Sequence, residues 1–233
     1  MGYILLIIRT HGRARTAGFG AGSTSLTEDE AACPAYPSKL VAGPQTLEFD
    51  STTEIREEGD HWVITDRAKT PMGEVSDVVT IEKASLRALK RSVRQVPATI
   101  ELDFSGGRAT GNLEMGGQKR SISVDLGGDL FGDGAGAYHV LATLPLAEGF
   151  KTTFRNFDVQ KQKAALKQLE VAGSEQVTVP AGTFDAFKVE VASAEGEPGK
   201  STVWIEKSTR RPLKVAASLP QMGGATITSE LVK

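Results

Sequence analysis

The chain contains one cysteine, Cys33, in 233 residues. A single sulfur excludes an intrachain disulfide and any thiolate-rich metal site. Aromatic residues are scarce at 6%, and no charge of either sign dominates, with 27 basic against 29 acidic side chains. A near-neutral total without aromatic interleaving in its basic runs excludes nucleic acid as the expected target. No apolar run approaches the roughly 18–20 residues of a membrane-crossing helix, so the chain is not expected to be an integral membrane protein. Tyr3–Ile8 (YILLII) is shorter than a secretory hydrophobic region of about 7–15 residues, and Arg9, Arg13 and Arg15 follow it instead of preceding it. Ala31-Ala32-Cys33 has the small residues of a lipoprotein signal, but Thr27-Glu28-Asp29-Glu30 stands where a hydrophobic stretch is needed.

What remains is alternation. Residues 10–45 are rich in Gly, Ala, Ser, Thr and Pro without periodicity, and residues 1–45 read as a flexible leader. From Thr46 the pattern changes, with Leu47, Phe49 and Ile55 alternating with Glu48, Asp50, Glu54 and Arg56. Strands follow around Trp62 and Ile64, around Val75, Val79 and Ile81, and around Ile100, Leu102 and Phe104. Gly-Gly pairs at 106–107, 116–117 and 127–128 punctuate a run of apparent hairpins. Glu175–Leu219 carries the clearest signal, four alternating strands separated by Pro-Ala-Gly, Glu-Pro-Gly and Arg-Arg-Pro turns.

Three stretches are less regular. Ser85–Gln95 fits an amphipathic helix by its Leu86, Leu89, Val93, Val96 spacing, but its hairpin-like neighbours favour a strand. Lys161–Gln168 has helical propensity before Leu169 and Val171 resume a strand pattern. Asp133 is placed to cap a short helix over about 135–144, with Pro145 limiting it and Tyr138, Leu141 and Ala142 on its face. A dozen or more strands with one apolar face curl until that face is covered. The expected fold is therefore all-β with minor α: one domain over 46–233, a strongly curved antiparallel sheet forming a barrel or half-barrel with one short helix.

Motifs for chemistry are sparse. His11, His61 and His139 lack ligand spacing, and no G-x-S-x-G nucleophile elbow occurs. Gly127–Gly134 is a single copy of a calcium-roll-like loop, a motif that needs stacked copies. No cofactor or metal is expected. Arg87, Lys90, Arg91 and Arg94 read as a solvated basic face. Trp62 and Trp204, out of phase with Val63 and Val203, and Tyr138 on the helix are the candidate ligand-binding residues.

Val179-Pro180-Ala181-Gly182-Thr183-Phe184, the Trp204 strand, Arg211-Pro212 and Leu144-Pro145-Leu146 together resemble a bacterial family of exported β domains of unknown function. Such domains are similar in architecture to the lipoprotein-localisation half-barrels, in which a curved sheet shelters acyl chains. The resemblance implies a periplasmic or cell-envelope protein that binds an apolar ligand, such as a lipid acyl chain or a lipoprotein, without catalysis. The alternatives are an accessory or interaction domain of a larger protein, with a protein partner, and a small hydrolase with its site on the concave face.

Overall fold

The computed structural model describes residues 34–233. The N-terminal half of the sheet is made of β1 (Ser38–Ala42), β2 (Gln45–Glu58), β3 (His61–Thr70), β4 (Gly73–Glu82), β5 (Ala88–Gln95), β6 (Ala98–Ser105), β7 (Arg108–Met115) and β8 (Gln118–Asp125). A crossover containing the helix α1 (Ala137–Ala142) leads to β9 (Lys151–Asp158) and β10 (Lys163–Val179). The chain then returns through β11 (Gly182–Ser193), β12 (Lys200–Glu206), β13 (Pro212–Leu219) and β14 (Ala225–Glu230), with one 3-10 turn at Pro220–Met222. Among the described residues, all fourteen strands belong to one antiparallel sheet that does not close, in the order β8-β7-β6-β5-β4-β3-β2-β1-β14-β13-β12-β11-β10-β9.

That order is two meanders joined edge to edge. The first and last strands pair in the middle, Leu40 opposite Ile227, which leaves β8 and β9 as the free edges. The segment between β8 and β9 must therefore travel from one edge of the sheet to the other. It does so on the concave side. Leu126 donates to the Gly107 carbonyl at 2.7 Å, Ala88 donates to the Leu130 carbonyl at 3.0 Å, and Phe131 donates to the Arg155 carbonyl at 3.0 Å. Curvature is strong enough to bring Phe104 on β6 within 6.2 Å, centroid to centroid, of Phe157 on β9. One apolar core runs continuously from Ile55 and Trp62 to Val203 and Ile205, with Leu130, Val140 and Leu141 of the crossover inside it. Burying those side chains offsets the ordering entropy of a sheet this large.

Several sequence expectations are corrected. Ser38–Ala42, assigned by composition to the leader, is β1 at the centre of the sheet, where Leu40 is 3% exposed. Residues 1–33 of the expected leader, with His11 and Cys33, lie outside the described residues, whereas Ala35 bridges to Thr52 and Gln45 opens β2. Gly127-Gly128 does not close a hairpin but begins the crossover. The favoured strand reading of Ser85–Gln95 agrees with β5, which starts at Ala88 and pairs Val93 with Ile100, while the helical propensity of Lys161–Gln168 gives way to a turn and the start of β10 at Lys163, where Ala164 pairs with Phe157. The helix is shorter than expected, and Asp133 does not cap it. Gly136 occupies the N-cap, in the left-handed region at φ 61° and without a side-chain cap.

Gly136 is required there twice over. A Cβ on it would meet Ile64 Cγ2 at 2.3 Å, and its backbone conformation strains any L side chain. Gly136→Ala is expected to destabilise the chain by about 2–4 kcal/mol, from left-handed strain plus overpacking. Gly149→Ala serves as the control, since Gly149 has φ 77° but open space around it, and it should cost only about 1 kcal/mol. Urea unfolding monitored by tryptophan fluorescence measures both, and equal losses would contradict the packing role assigned to Gly136.

Candidate functional site

The inward phase of the strands is not uniformly apolar. On β3, Trp62 and Ile64 are followed two residues on by Asp66. On β4, Asp77 sits between Val75 and Val79, and on β5, Arg91 precedes Val93 by two. Period-2 geometry puts each of these charges on the concave face. There they meet the crossover. Arg91, 6% exposed, donates through Nε and Nη2 to the two oxygens of Asp77 at 3.1 and 2.7 Å, and through Nη1 to Asp133 at 3.1 Å. Burial opposes the Arg91 charge, but the two carboxylates more than offset it and hold the guanidinium above its ordinary range. The solvated-face reading of Arg91 is thereby corrected, whereas Lys90 and Arg94 beside it do face solvent.

Asp133 has further capacity as a buried acceptor, and β9 supplies two donors. Its Oδ1 accepts from the Phe157 backbone N–H at 2.8 Å and from Asn156 Nδ2 at 3.2 Å, while Asn156 Nδ2 also donates to the Gly132 carbonyl at 2.8 Å. The carboxylate expected to cap a helix instead ties β5 to β9 across the open side of the sheet. Asp66 anchors the next turn, accepting from Thr53 Oγ1 at 2.7 Å and from the Gly136 N–H at 3.0 Å.

Between the sheet and α1 lies a cavity of about 340 Å³. One part of its wall is apolar, formed by Leu47, Phe49, Ala68, Val75, Leu219 and Ile227 near the hairpin tips at 43–44, 71–72 and 220–224. The other part, around the crossover, presents Asp66, Tyr138, His139, Asn156, Lys167 and Ser201. Burial raises the Asp66 carboxyl to about 6 against the Thr53 and Gly136 bonds, with Asp77 adding repulsion. Burial alone lowers the His139 imidazole to about 4, so it is neutral at physiological pH. Burial lowers the Lys167 amine to about 8 despite Asp158, Asp133 and Glu197 nearby. Burial also raises the Tyr138 phenol, with Ser201 beside it acting in the opposite direction.

The three candidate residues from the sequence separate here. Tyr138 lines the cavity. Trp62 is 6% exposed in the core with Ile64 and Val79, beneath Lys83 at 5.1 Å from its ring, and is not part of the cavity wall. Trp204 faces the opposite side of the sheet from Val203 and Ile205, between Lys188 and Lys214 at 5.8 and 5.7 Å, with its indole N–H donated to Glu175. Asp66, His139, Asn156 and Ser201 were missed from sequence. The available signal was a charged residue in the apolar phase of a strand, as at Asp66, Asp77 and Arg91. His139 and Ser201 carried none.

These features define a class of domain, an open, strongly curved antiparallel sheet whose edge-to-edge crossover bounds a concave cavity. The protein family of unknown function DUF3108 matches residues 39–231, and the chain belongs to that family. It is similar to the hypothetical lipoprotein YmcC of Escherichia coli K12 at 11% identity, with 86% of this chain and 84% of that chain covered and a TM-score of 0.35. A DUF1329 family protein from Desulfovibrio piger is also similar at 11% identity, over 88% of this chain and 85% of that chain, with a TM-score of 0.29. No curated protein matches the chain.

Two predictions follow from the charges. Asp133→Ala leaves Arg91 with one carboxylate and orphans the Phe157 amide, so it should cost about 3–5 kcal/mol by chemical denaturation. Asp77→Ala, which removes a more exposed partner, should cost less. Asp66 and His139 should pull the pH dependence of stability in opposite directions. The folded Asp66 holds its proton more tightly than the unfolded one, so its contribution falls as pH rises from about 4 to about 6. The folded His139 holds its proton less tightly, so its contribution rises with pH between about 4 and its unfolded value of 6.5. Over this window the wild type should therefore change little, Asp66→Asn should gain stability with rising pH, and His139→Gln should lose it. Urea midpoints from pH 4 to 7 check the signs, and parallel profiles for the two variants would contradict them.

Proposed function

We propose that this chain is a noncatalytic cell-envelope domain that shelters an apolar chain, such as the acyl chain of a lipid or lipoprotein, in its concave cavity. The observation that carries the reading is the cavity itself. Its volume of about 340 Å³ falls within the roughly 300–1,000 Å³ of small-molecule sites, and one wall is aliphatic and aromatic as such sites usually are. The charges near it are engaged in holding the crossover, as Arg91, Asp77 and Asp133 are, which suits a container more than a reaction centre. The envelope location is supported by the likeness of the Val179–Phe184 turn and the Arg211-Pro212 turn to exported β domains.

One observation favours a second reading, a small hydrolase. Asp66 and His139 share one cavity, and both have displaced proton affinities. His139 makes an edge-to-face contact with Tyr36 at 6.3 Å but, among the described residues, no hydrogen bond to a hydroxyl or carboxylate that would organise a nucleophile. Ester turnover that disappears in both Asp66→Asn and His139→Gln would establish the hydrolase in place of the container.

Displacement of a fluorescent fatty acid tests the container. Each methylene buried contributes about 0.8 kcal/mol, so affinity should strengthen roughly fourfold per added methylene until the chain outgrows the cavity. Ala68→Trp, placed on the apolar wall, should weaken binding more than about tenfold while leaving the unfolding midpoint close to that of wild type. Affinity independent of chain length, or unchanged by Ala68→Trp, would contradict acyl binding in this cavity.

A further inference from the structure

Hairpins of a meander turn alternately at the two ends of their strands. The turns at 43–44, 71–72, 96–97, 116–117 and 220–224 therefore all project from one end of the sheet. Pairing keeps neighbouring turns together there. Val75 lies opposite Gln95, Ala98 lies opposite Met115, and the Gly116 N–H donates to the Pro97 carbonyl at 3.4 Å. This end carries every large hydrophobic side chain that is more than half exposed among the described residues: Val96 at 82%, Met72 at 56% and Met115 at 51%. Apolar side chains exposed singly need no explanation, but three on adjacent turns concentrate in one place what the rest of the surface avoids.

The charges around these turns fit a lipid surface. The turns at 43–44 and 220–224 have no charged residue within two positions, and exposed Pro44, Pro71, Pro97 and Pro220 present no N–H that would have to leave water. Behind the tips stand exposed Lys69, Arg94, Lys119 and Arg120 against Glu74 and Glu114. Glu74 is the cross-strand partner of Lys69 and Glu114 of Lys119, which leaves Arg94 and Arg120 as a cationic surplus in a chain whose formal charge is −2. Arg94 approaches Glu101 only at 4.0 Å, with both side chains more than half exposed, a pairing too weak to hold it. The two remaining turns at this end, 159–162 and 194–199, bound the patch with Glu195 and the Lys161–Glu197 ion pair. Apolar tips with a cationic collar match the interfacial layer of an anionic bilayer. A protein partner is a poorer match, because three side chains on separate turns fall short of the roughly 800 Å² per partner of a stable protein interface.

The patch is also continuous with the cavity. Met72 is both exposed and part of the cavity wall, beside Thr70, Val75 and Gln95, so the cavity reaches the surface at this end. We propose that this end of the sheet docks on an anionic lipid bilayer, with Met72, Val96 and Met115 inserted among the headgroups and the cavity mouth turned toward the acyl layer. The docking surface stands on exposure and charge. Its role, passage of a chain between bilayer and cavity without crossing water, rests on the container reading.

Co-sedimentation of the full chain with vesicles of phosphatidylcholine, alone or mixed with an equal amount of phosphatidylglycerol, tests the docking. Binding should be roughly five- to twentyfold stronger on the mixed vesicles, and that excess should disappear at high salt. Arg94→Gln combined with Arg120→Gln should remove the excess while leaving binding to phosphatidylcholine alone unchanged. Val96→Ser combined with Met115→Ser should weaken binding to both vesicles by more than about tenfold, from the apolar area no longer buried. Neither of these two side chains lines the cavity, so the variant should keep the wild-type fatty-acid affinity. Both positions are exposed, so its urea midpoint should stay near that of wild type. Absence of vesicle binding, or binding that survives Val96→Ser with Met115→Ser as it would if Tyr3–Ile8 carried it, would overturn the docking surface whatever the fatty-acid result. A dimer in sedimentation velocity that this variant abolishes, without vesicle binding, would overturn it in favour of a second copy of the chain. Vesicle binding without fatty-acid displacement would overturn the container and leave the docking surface standing.

Discussion

The Asp133 carboxylate is the contact on which the rest of the architecture depends. The two ends of a fourteen-stranded meander are not joined by backbone pairing, since β8 and β9 are both edges. The same side chain accepts from Arg91 on β5 and from the Phe157 amide on β9, so it replaces part of the missing strand pairing with buried, charge-assisted bonds. Asp77 completes the guanidinium, and Asn156 completes the carboxylate. A buried charge of this kind adds little net stability compared with an apolar filling, but removing one partner is costly, so it enforces one arrangement of the edges over its competitors.

The cavity follows from the same constraint. With the central strands taken by the chain's first and last segments, the connection between the edges has to cross the concave face. Pinning it at Asp133 and again at Gly136, through Asp66, places α1 over the sheet without filling the space beneath it. Complete barrel closure would have removed the need for that crossover and the polar residues that hold it. The mixed wall, apolar toward the hairpin tips and polar around α1, is thus a consequence of topology before it is a property of any ligand.

Much of this was legible in the sequence. Alternation identified the strands, and the excess of strands over helices implied a curled sheet, because an apolar face that large must be covered. Proline and glycine at Pro180, Gly182 and Pro212 marked the turns correctly. The failures share one cause, which is that composition and local propensity do not report long-range partners. Ser38–Ala42 looked like leader because Gly, Pro and Ala surround it, yet β14, nearly two hundred residues later, gives it a central place. Asp133 looked like a cap because a helix begins near it, yet its partners lie on β5 and β9. Arg91 was grouped with its charged neighbours, although its phase, two residues before Val93, already set it apart from Lys90 and Arg94. The tryptophans drew attention by size, while the cavity is polar at residues as inconspicuous as Ser201 and Asn156.

In the container reading, the space beneath α1 holds an apolar chain. A crystal structure of the full chain soaked with a long-chain alcohol tests it most directly. One elongated ligand is expected beneath α1, with its chain along Leu47 and Ile227. A cavity closed by collapsed side chains, or a ligand bound elsewhere on the protein, would contradict it.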